Sequence, residues 1–148
     1  MKIRPATAAD AETIAAFNAA LARESENLAL DLPTVRAGVA ALLADPAKGR
    51  YFVAEIDGEL AGQTMVTYEW SDWRNGTIWW LQSVYVAEKL RRRGVFRALF
   101  EHIIDNARRA PDVCALRLYM ERHNKIAQAA YARLGLNLGD YVVLERSL

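Results

Sequence analysis

Val84-Tyr85-Val86-Ala87-Glu88-Lys89-Leu90-Arg91-Arg92-Arg93-Gly94-Val95-Phe96-Arg97-Ala98-Leu99 is the stretch on which the reading of this chain turns. An apolar, β-branched run enters a basic turn and then a helical pattern, so free backbone amides and the positive end of a helix dipole converge where an anion could sit. Gly94 lets backbone approach a phosphate with no side chain in the way, and Arg91, Arg92, Arg93 and Arg97 add positive charge. Neither a Walker pattern nor a Gly-x-Gly-x-x-Gly accompanies the turn. On charge alone, a solvated basic turn that merely caps a helix reads equally well.

Outward from this segment the periodicity alternates between helix and strand. Downstream, Val95, Leu99, Ile103 and Ala107 form one helical face from about Gly94 to Ala110, and Pro111 stops it. A strand Ala115 to Met120, a short helix from Lys125 to Leu134 ending at Gly135, and a last strand Tyr141 to Glu145 follow. Upstream, Lys2 to Arg4 reads as a strand and Thr7-Ala8-Ala9-Asp10 as a capping box. Ile14, Phe17 and Leu21 stripe a first helix; Pro33 opens a second, with Val35, Val39, Leu42 and Leu43 on its buried face. Tyr51 to Ile56 and Leu60 to Glu69 flank the tight Asp57-Gly58 turn of an antiparallel hairpin. A polar, aromatic loop, Trp70 to Gly76, leads into the strand Thr77 to Val86. The order is βααβββαβαβ, a mixed α/β chain whose strand-helix-strand unit makes two strands parallel.

Composition narrows the function classes. The chain has 148 residues, 19 Lys+Arg against 18 Asp+Glu, and 53% hydrophobic residues. No linker or repeat divides it, so a single domain over residues 1–148 is expected. A formal net charge of +1 argues against a dedicated nucleic-acid binder, and no apolar run approaches the ~18 residues of a membrane span. A lone cysteine, Cys114, and no secretory leader pattern point to a reducing, cytoplasmic setting, with Cys114 expected as an inert buried thiol. His102 and His123 share no ligand spacing with it, so no metal site is expected.

The segment Arg91-x-x-Gly94-x-Phe96 resembles the Arg/Gln-x-x-Gly-x-Gly/Ala motif of the GNAT superfamily, the acetyl-CoA-dependent N-acetyltransferases. The strand ending in Val84-Tyr85-Val86, the pair Asn124 and Tyr131 within Asn-Lys-Ile-Ala-Gln-Ala-Ala-Tyr-Ala-Arg-Leu-Gly, and the order βααβββαβαβ are similar to that family too. Phe96 stands where the motif has a small residue, which bears on how closely the first helical turn approaches a pyrophosphate. Trp70 to Gln82 and the final helix look most like the diamine and polyamine branch.

The resemblance implies a GNAT fold, acetyl-CoA as cosubstrate, no metal, and transfer to a primary amine of a small molecule by direct attack in a ternary complex. Val84, Tyr85 and Val86 would present main-chain groups to the pantetheine arm and acetyl carbonyl. Arg91, Arg92, Arg93, Gly94, Val95 and Phe96 would hold the pyrophosphate. Asn124 would contact the pantetheine chain, although Asn also suits a helix N-cap and both roles can hold. Tyr131 would protonate the departing thiolate, since a phenol of pKa about 10 stays protonated at neutral pH; its alternative is an amphipathic core tyrosine beside Ile126 and Leu134.

Polyamine-type relatives place a Glu base where this sequence has Gln82, and an amide cannot take a proton at neutral pH. Gln82 is therefore expected to orient an amine or water, with the proton leaving to Glu24, Glu26, Glu69 or Asp72. The amine is expected between the first two helices and the Trp70 to Gly76 loop, where Trp70, Asp72 and Trp73, with Glu24 nearby, would attract a cation. Those tryptophans could equally cover the sheet or a homodimer interface, the assembly common among relatives. Gln82 also motivates a second reading, a non-catalytic acyl-CoA-binding or sensing module of the same fold.

Overall fold

Alternating side chains and tight hairpin turns organise the computed structural model, which describes residues 1–148. Residues Met1–Leu118 and Tyr119–Leu148 form two units. The first contains β1 (Lys2–Pro5), α1 (Ala11–Glu26), α2 (Leu32–Ala44), β2 (Arg50–Ile56), β3 (Glu59–Ser71), β4 (Gly76–Val86), α3 (Val95–Arg109) and β5 (Val113–Leu118). The second contains α4 (Lys125–Arg133). The five strands lie in the order β1-β2-β3-β4-β5. β1 to β4 pair antiparallel, and β5 joins β4 in parallel, as a strand-helix-strand crossover through α3 requires. No helix is long and apolar enough to cross a membrane.

Local chemistry sets these elements. Asp57 and Gly58 both take left-handed backbone, φ 54° and 83°, so β2 and β3 join through the tight hairpin turn that matches their twist. The Asp31 carboxylate accepts the Thr34 amide at 3.0 Å, capping α2 just before Pro33. Alternation then separates two layers. Tyr51 and Val53 of β2 pack against Ile14, Ala15 and Val39, which puts α1 and α2 on one face of the sheet. Phe52, pointing the other way, meets His102 of α3 with ring centroids 5.3 Å apart. Leu99, Phe100 and Ile103 of α3 are fully buried on that second face.

Three expectations from sequence are corrected. Residues Trp70 to Gly76 do not form a broad loop: pairing continues to Ser71 opposite Gly76, leaving only a short turn at the tip of a long hairpin. Cys114 is exposed rather than buried, because β4 Thr77 and Ile78 pair with Val113 and Ala115 and leave Cys114 as the extra residue of a bulge. The expected strand Tyr141 to Glu145 does not form, and Tyr141, Val142, Val143 and Leu144 are exposed. Strand-forming residues make a strand only when a ladder partner takes their backbone groups, and no ladder includes this run.

The entry to α1 is locked by charge. Arg4 donates two bonds to Asp10, at 2.8 and 2.9 Å, and the Thr7 amide and hydroxyl add bonds of 2.7 and 3.0 Å. The Arg4 guanidinium holds the Asp10 carboxyl down to about 2, against the opposing effect of burial. A carboxylate lowered from its unfolded value stabilises the fold fully above pH ~4, and that contribution is lost as the pH falls toward 2. Asp10→Asn should therefore cost about 2 kcal/mol at neutral pH and remove the steepest part of the acid limb between pH ~4 and 2, as measured by urea unfolding across that range.

Candidate active site

The β4 strand is where backbone geometry departs from a regular ladder. Met65 pairs with Gln82 and Gln63 with Tyr85, so Ser83 and Val84 together oppose the single residue Thr64. Ser83 takes φ 50° at this bulge. The Gln63 side chain, 0% exposed, donates from Nε2 to the Asn18 Oδ1 at 2.7 Å and to the Ser83 carbonyl at 3.4 Å. Asn18 in turn donates to the Tyr51 hydroxyl at 3.1 Å. β5 pairs with β4 only as far as Leu118 opposite Leu81. Beyond that point β4 runs on through the bulge to Val86, so in the first unit its edge there is not covered by β5.

The expected anion turn follows directly. A single tight turn at Glu88–Leu90 ends β4, and Arg92 and Gly94 then adopt left-handed backbone, φ 64° and 78°. Left-handed backbone alternating with other backbone in a turn ahead of a helix is the kind of conformation in which successive amides form an anion-binding concavity. The first bond of α3 runs from the Ala98 amide to the Gly94 carbonyl, so the first-turn amides of Val95 and Arg97 have no intrahelical acceptor. Added bulk at Gly94 would meet nothing within 4 Å, so its backbone angle, not space, calls for glycine. The Phe96 ring packs on Phe100 at 6.0 Å between centroids, along the helix. Arg92 and Arg93 are exposed, and Arg97 is paired with Glu101 at 2.7 Å.

Arg91 is used differently from its neighbours. Its Nε donates to the Val86 carbonyl at 3.0 Å, a terminal nitrogen meets Glu24 at 2.5 Å, and the guanidinium lies 5.5 Å from the Tyr85 ring centre. The Tyr85 hydroxyl donates to the other Glu24 oxygen at 2.9 Å. Glu24 thus has both oxygens engaged, and the Arg91 pair lowers its carboxyl below the ordinary range. Burial and the Glu24 carboxylate push the Tyr85 phenol up. Tyr85 is buried against Phe17 of α1, with ring centroids 5.1 Å apart. This places the Tyr85 side chain on the α1 face, so only its main chain lies along the β4 edge.

On that same face the register sets a polar row. Gln82 donates to the Thr67 hydroxyl at 2.5 Å, and Trp80, opposite Thr67, donates to Glu69 at 2.6 Å. Arg117 of β5 reaches Glu69 at 3.2 Å and lies 5.8 Å from the Trp80 ring centre. The hairpin tip is elsewhere. Trp70 faces Thr77, five positions from Gln82 along β4, or roughly 17 Å at strand rise. Trp73 is 90% exposed beyond it, and Asp72 accepts the Trp73 amide at 2.9 Å. The structure therefore gathers Glu24, Tyr85 and Arg91, and separately Gln82 with Thr67, Trp80 and Glu69, while Trp70, Asp72 and Trp73 stand apart from both.

The second unit holds the two remaining candidates. The Asn124 Oδ1 accepts the Ala127 amide at 3.0 Å, capping α4. Tyr131 lies seven residues on, two helical turns along the same face. It is half-buried, and burial pushes its phenol up.

The family model for the Acetyltransferase (GNAT) family matches residues 15–136. The chain belongs to the GNAT acetyltransferase family. A possible acetyltransferase from Clostridium difficile 630 shares 42% identity over 99% of this chain and 97% of that one, with a TM-score of 0.94. Ribosomal-protein-alanine N-acetyltransferase from Brucella melitensis biovar Abortus 2308 has the same fold at 19% identity and TM-score 0.79, covering 99% of this chain and 98% of its own. An aminoglycoside acetyltransferase from an uncultured soil metagenomic sample aligns at 17% identity and TM-score 0.76, over 99% and 97%. No curated protein matches the sequence. The mixed five-stranded sheet with its parallel β4–β5 pair is the GNAT fold, and this GNAT protein is an acyltransferase enzyme.

Gln63, Asn18, Thr67 and Arg117 were not singled out from sequence. A glutamine amid the apolar residues of β3 was the one visible signal; the other contacts depend on register. Close approach at the end of β4 also demands glycine at position 62, where an added Cβ would lie 2.7 Å from the Tyr85 carbonyl and 3.0 Å from Val95. Gly62→Ala should destabilise this GNAT protein by about 1–3 kcal/mol, read from chemical unfolding, because a strand carbonyl cannot shift cheaply.

Proposed function

We propose that this GNAT protein, working as one acetyltransferase domain over residues 1–148, moves an acetyl group from acetyl-CoA to a primary amine of a small molecule. The observation that carries this is the turn in which Arg92 and Gly94 take left-handed backbone, φ 64° and 78°, immediately before α3. Its residues suit the cosubstrate: an amide concavity for a pyrophosphate, with exposed Arg92 and Arg93 for charge. Acetyl-CoA supplies an activated thioester, and attack by the amine within one ternary complex is the step the family likeness implies.

The chain's own groups have the following roles. The main chain at Val84 and Val86, beside the bulge, receives the thioester arm along the edge that β5 leaves open. The amides from Arg92 to Phe96 hold the pyrophosphate. Asn124 keeps its cap and presents its side to the pantetheine arm. Tyr131 holds a proton through the neutral range, since burial raises its phenol, and gives it to the departing thiolate.

The amine is received on the α1 and α2 face of the sheet. Gln82 orients it, and Glu69, in the same row, takes its proton through water. That row already holds a cation of the chain itself, Arg117 against Glu69 and the Trp80 ring, which supports an ammonium-bearing acceptor. Trp70, Asp72 and Trp73 extend acceptor contacts only for a molecule long enough to reach the hairpin tip. A homodimeric state and a cytoplasmic location complete the proposal.

Calorimetric titration with acetyl-CoA should give saturable one-site binding; a folded protein that binds none would remove the reading. Tyr131→Phe should lower turnover by about a hundredfold with the acetyl-CoA Kd nearly unchanged, and an unaltered rate would take Tyr131 out of the chemistry. Glu69→Gln should lower kcat/KM for the amine about tenfold or more at neutral pH; a value equal to wild type would place the proton path elsewhere.

A further inference from the structure

We infer that Glu24 is a positioning residue for the pyrophosphate turn, acting through Arg91 and Tyr85, and that Arg91 shapes the turn rather than touching phosphate. The inference rests on the acetyl-CoA reading above. Family likeness counts Arg91 among the phosphate ligands, yet its guanidinium is folded back on three groups of this chain. Nε meets the Val86 carbonyl at 3.0 Å, a terminal nitrogen meets Glu24 at 2.5 Å, and its Cζ lies 5.5 Å from the Tyr85 ring centre. One carboxylate, 67 positions earlier in the chain, answers that charge.

Consider what the contact fixes. Arg91 has extended backbone and immediately precedes Arg92, a residue with a Cβ held at φ 64°. Left-handed backbone at a non-glycine costs about 1–2 kcal/mol and persists only when its surroundings impose it. Glu24 supplies part of that constraint from the last turn of α1, the helix on the acceptor side. Tyr85 shares the load: it is only 8% exposed, rests on Phe17 of α1, and gives its hydroxyl to the second Glu24 oxygen. The phosphate-facing charge is then carried by Arg92 and Arg93, because Arg97 is already paired with Glu101.

Two mechanisms give opposite signs. If Glu24 positions the turn, its removal weakens acetyl-CoA binding; if it merely competes with phosphate for Arg91, its removal tightens binding. Titrations with acetyl-CoA over a salt series, on wild type, Glu24→Gln, Arg91→Met and the double variant, read the difference. Each single change should weaken binding about five- to tenfold, and the double variant no more than the worse single one. The dependence of affinity on salt should stay as in wild type for these variants and flatten in Arg92→Ala, where a phosphate-facing charge is lost. S-acetylpantetheine, which carries the thioester arm without pyrophosphate, should protect all of them equally against thermal unfolding.

Tyr85→Phe, which keeps the ion pair and loses one hydrogen bond, should weaken acetyl-CoA binding by about two- to threefold and serves if Glu24→Gln does not fold. Tighter or unchanged binding by Glu24→Gln, or a flattened salt dependence in Arg91→Met, would overturn the assignment. Wild-type protein that binds no acetyl-CoA would overturn the underlying reading and this inference with it, whereas normal wild-type binding with an unaffected Glu24→Gln would overturn this inference alone.

Discussion

The rest of the structure depends on a mismatch of one residue in β4. Ser83 and Val84 share the place opposite Thr64, so the strand changes direction just past the point where β5 stops pairing at Leu81. A regular ladder would keep β4 covered on both edges to its end. Past the bulge the last residues of β4 stay paired with β3, Tyr85 opposite Gln63 and Val86 opposite Gly62, while their other edge has no partner in β5. The same turn delivers Val86 to Gly62, where backbone passes so close that no larger residue fits, and from there the chain enters the basic turn and α3. Strand edge, basic turn and helix N-terminus follow one another in the chain directly after that extra residue.

A bulge of this kind needs support, since Ser83 gains nothing from its own side chain at φ 50°. The support is polar and comes from the α1 face: Gln63 bonds the Ser83 carbonyl while tied through Asn18 to Tyr51. Buried amides are expensive unless paired, and the Gln63 Oε1 has no protein partner, which marks a place where structure is held by geometry at some energetic cost. Further along, Glu24 repeats the arrangement with charge in place of amides. Helix α1 therefore braces β4 twice, at the bulge and at the turn. A displacement of α1 would be felt at both points.

Much of the fold was legible because it is written in local periods. The Asp57-Gly58 turn, the α3 face from Val95 to Ala107, the Thr7 to Asp10 box and the parallel β4–β5 unit all follow from residues near one another in sequence, where turn chemistry and hydrophobic period decide. What sequence could not supply is register. Ser83 has no glycine to announce a positive φ, so the bulge is invisible until β3 is laid beside β4. Cys114 is likewise exposed by a bulge and not by its composition. Trp70 to Gly76 reads as a loop on turn residues alone, whereas cross-strand pairing carries both strands nearly to its centre. Tyr141 to Glu145 has the residues of a strand and lacks the partner.

The candidate site divides along the same line. The amide turn was readable because Gly94 and the arginines are contiguous, but the assignment of charge within it was not, since Glu24 and Arg91 are joined only by folding. Contiguous arginines look equivalent in sequence; in space one is neutralised by α1, one is paired along its own helix, and two face outward. That inequality matters for selectivity. A turn with every arginine free would attract any polyanion, whereas neutralising Arg91 and Arg97 leaves a modest field and makes recognition depend on the shape of the amide concavity. A ligand must then fit the backbone and not merely carry charge.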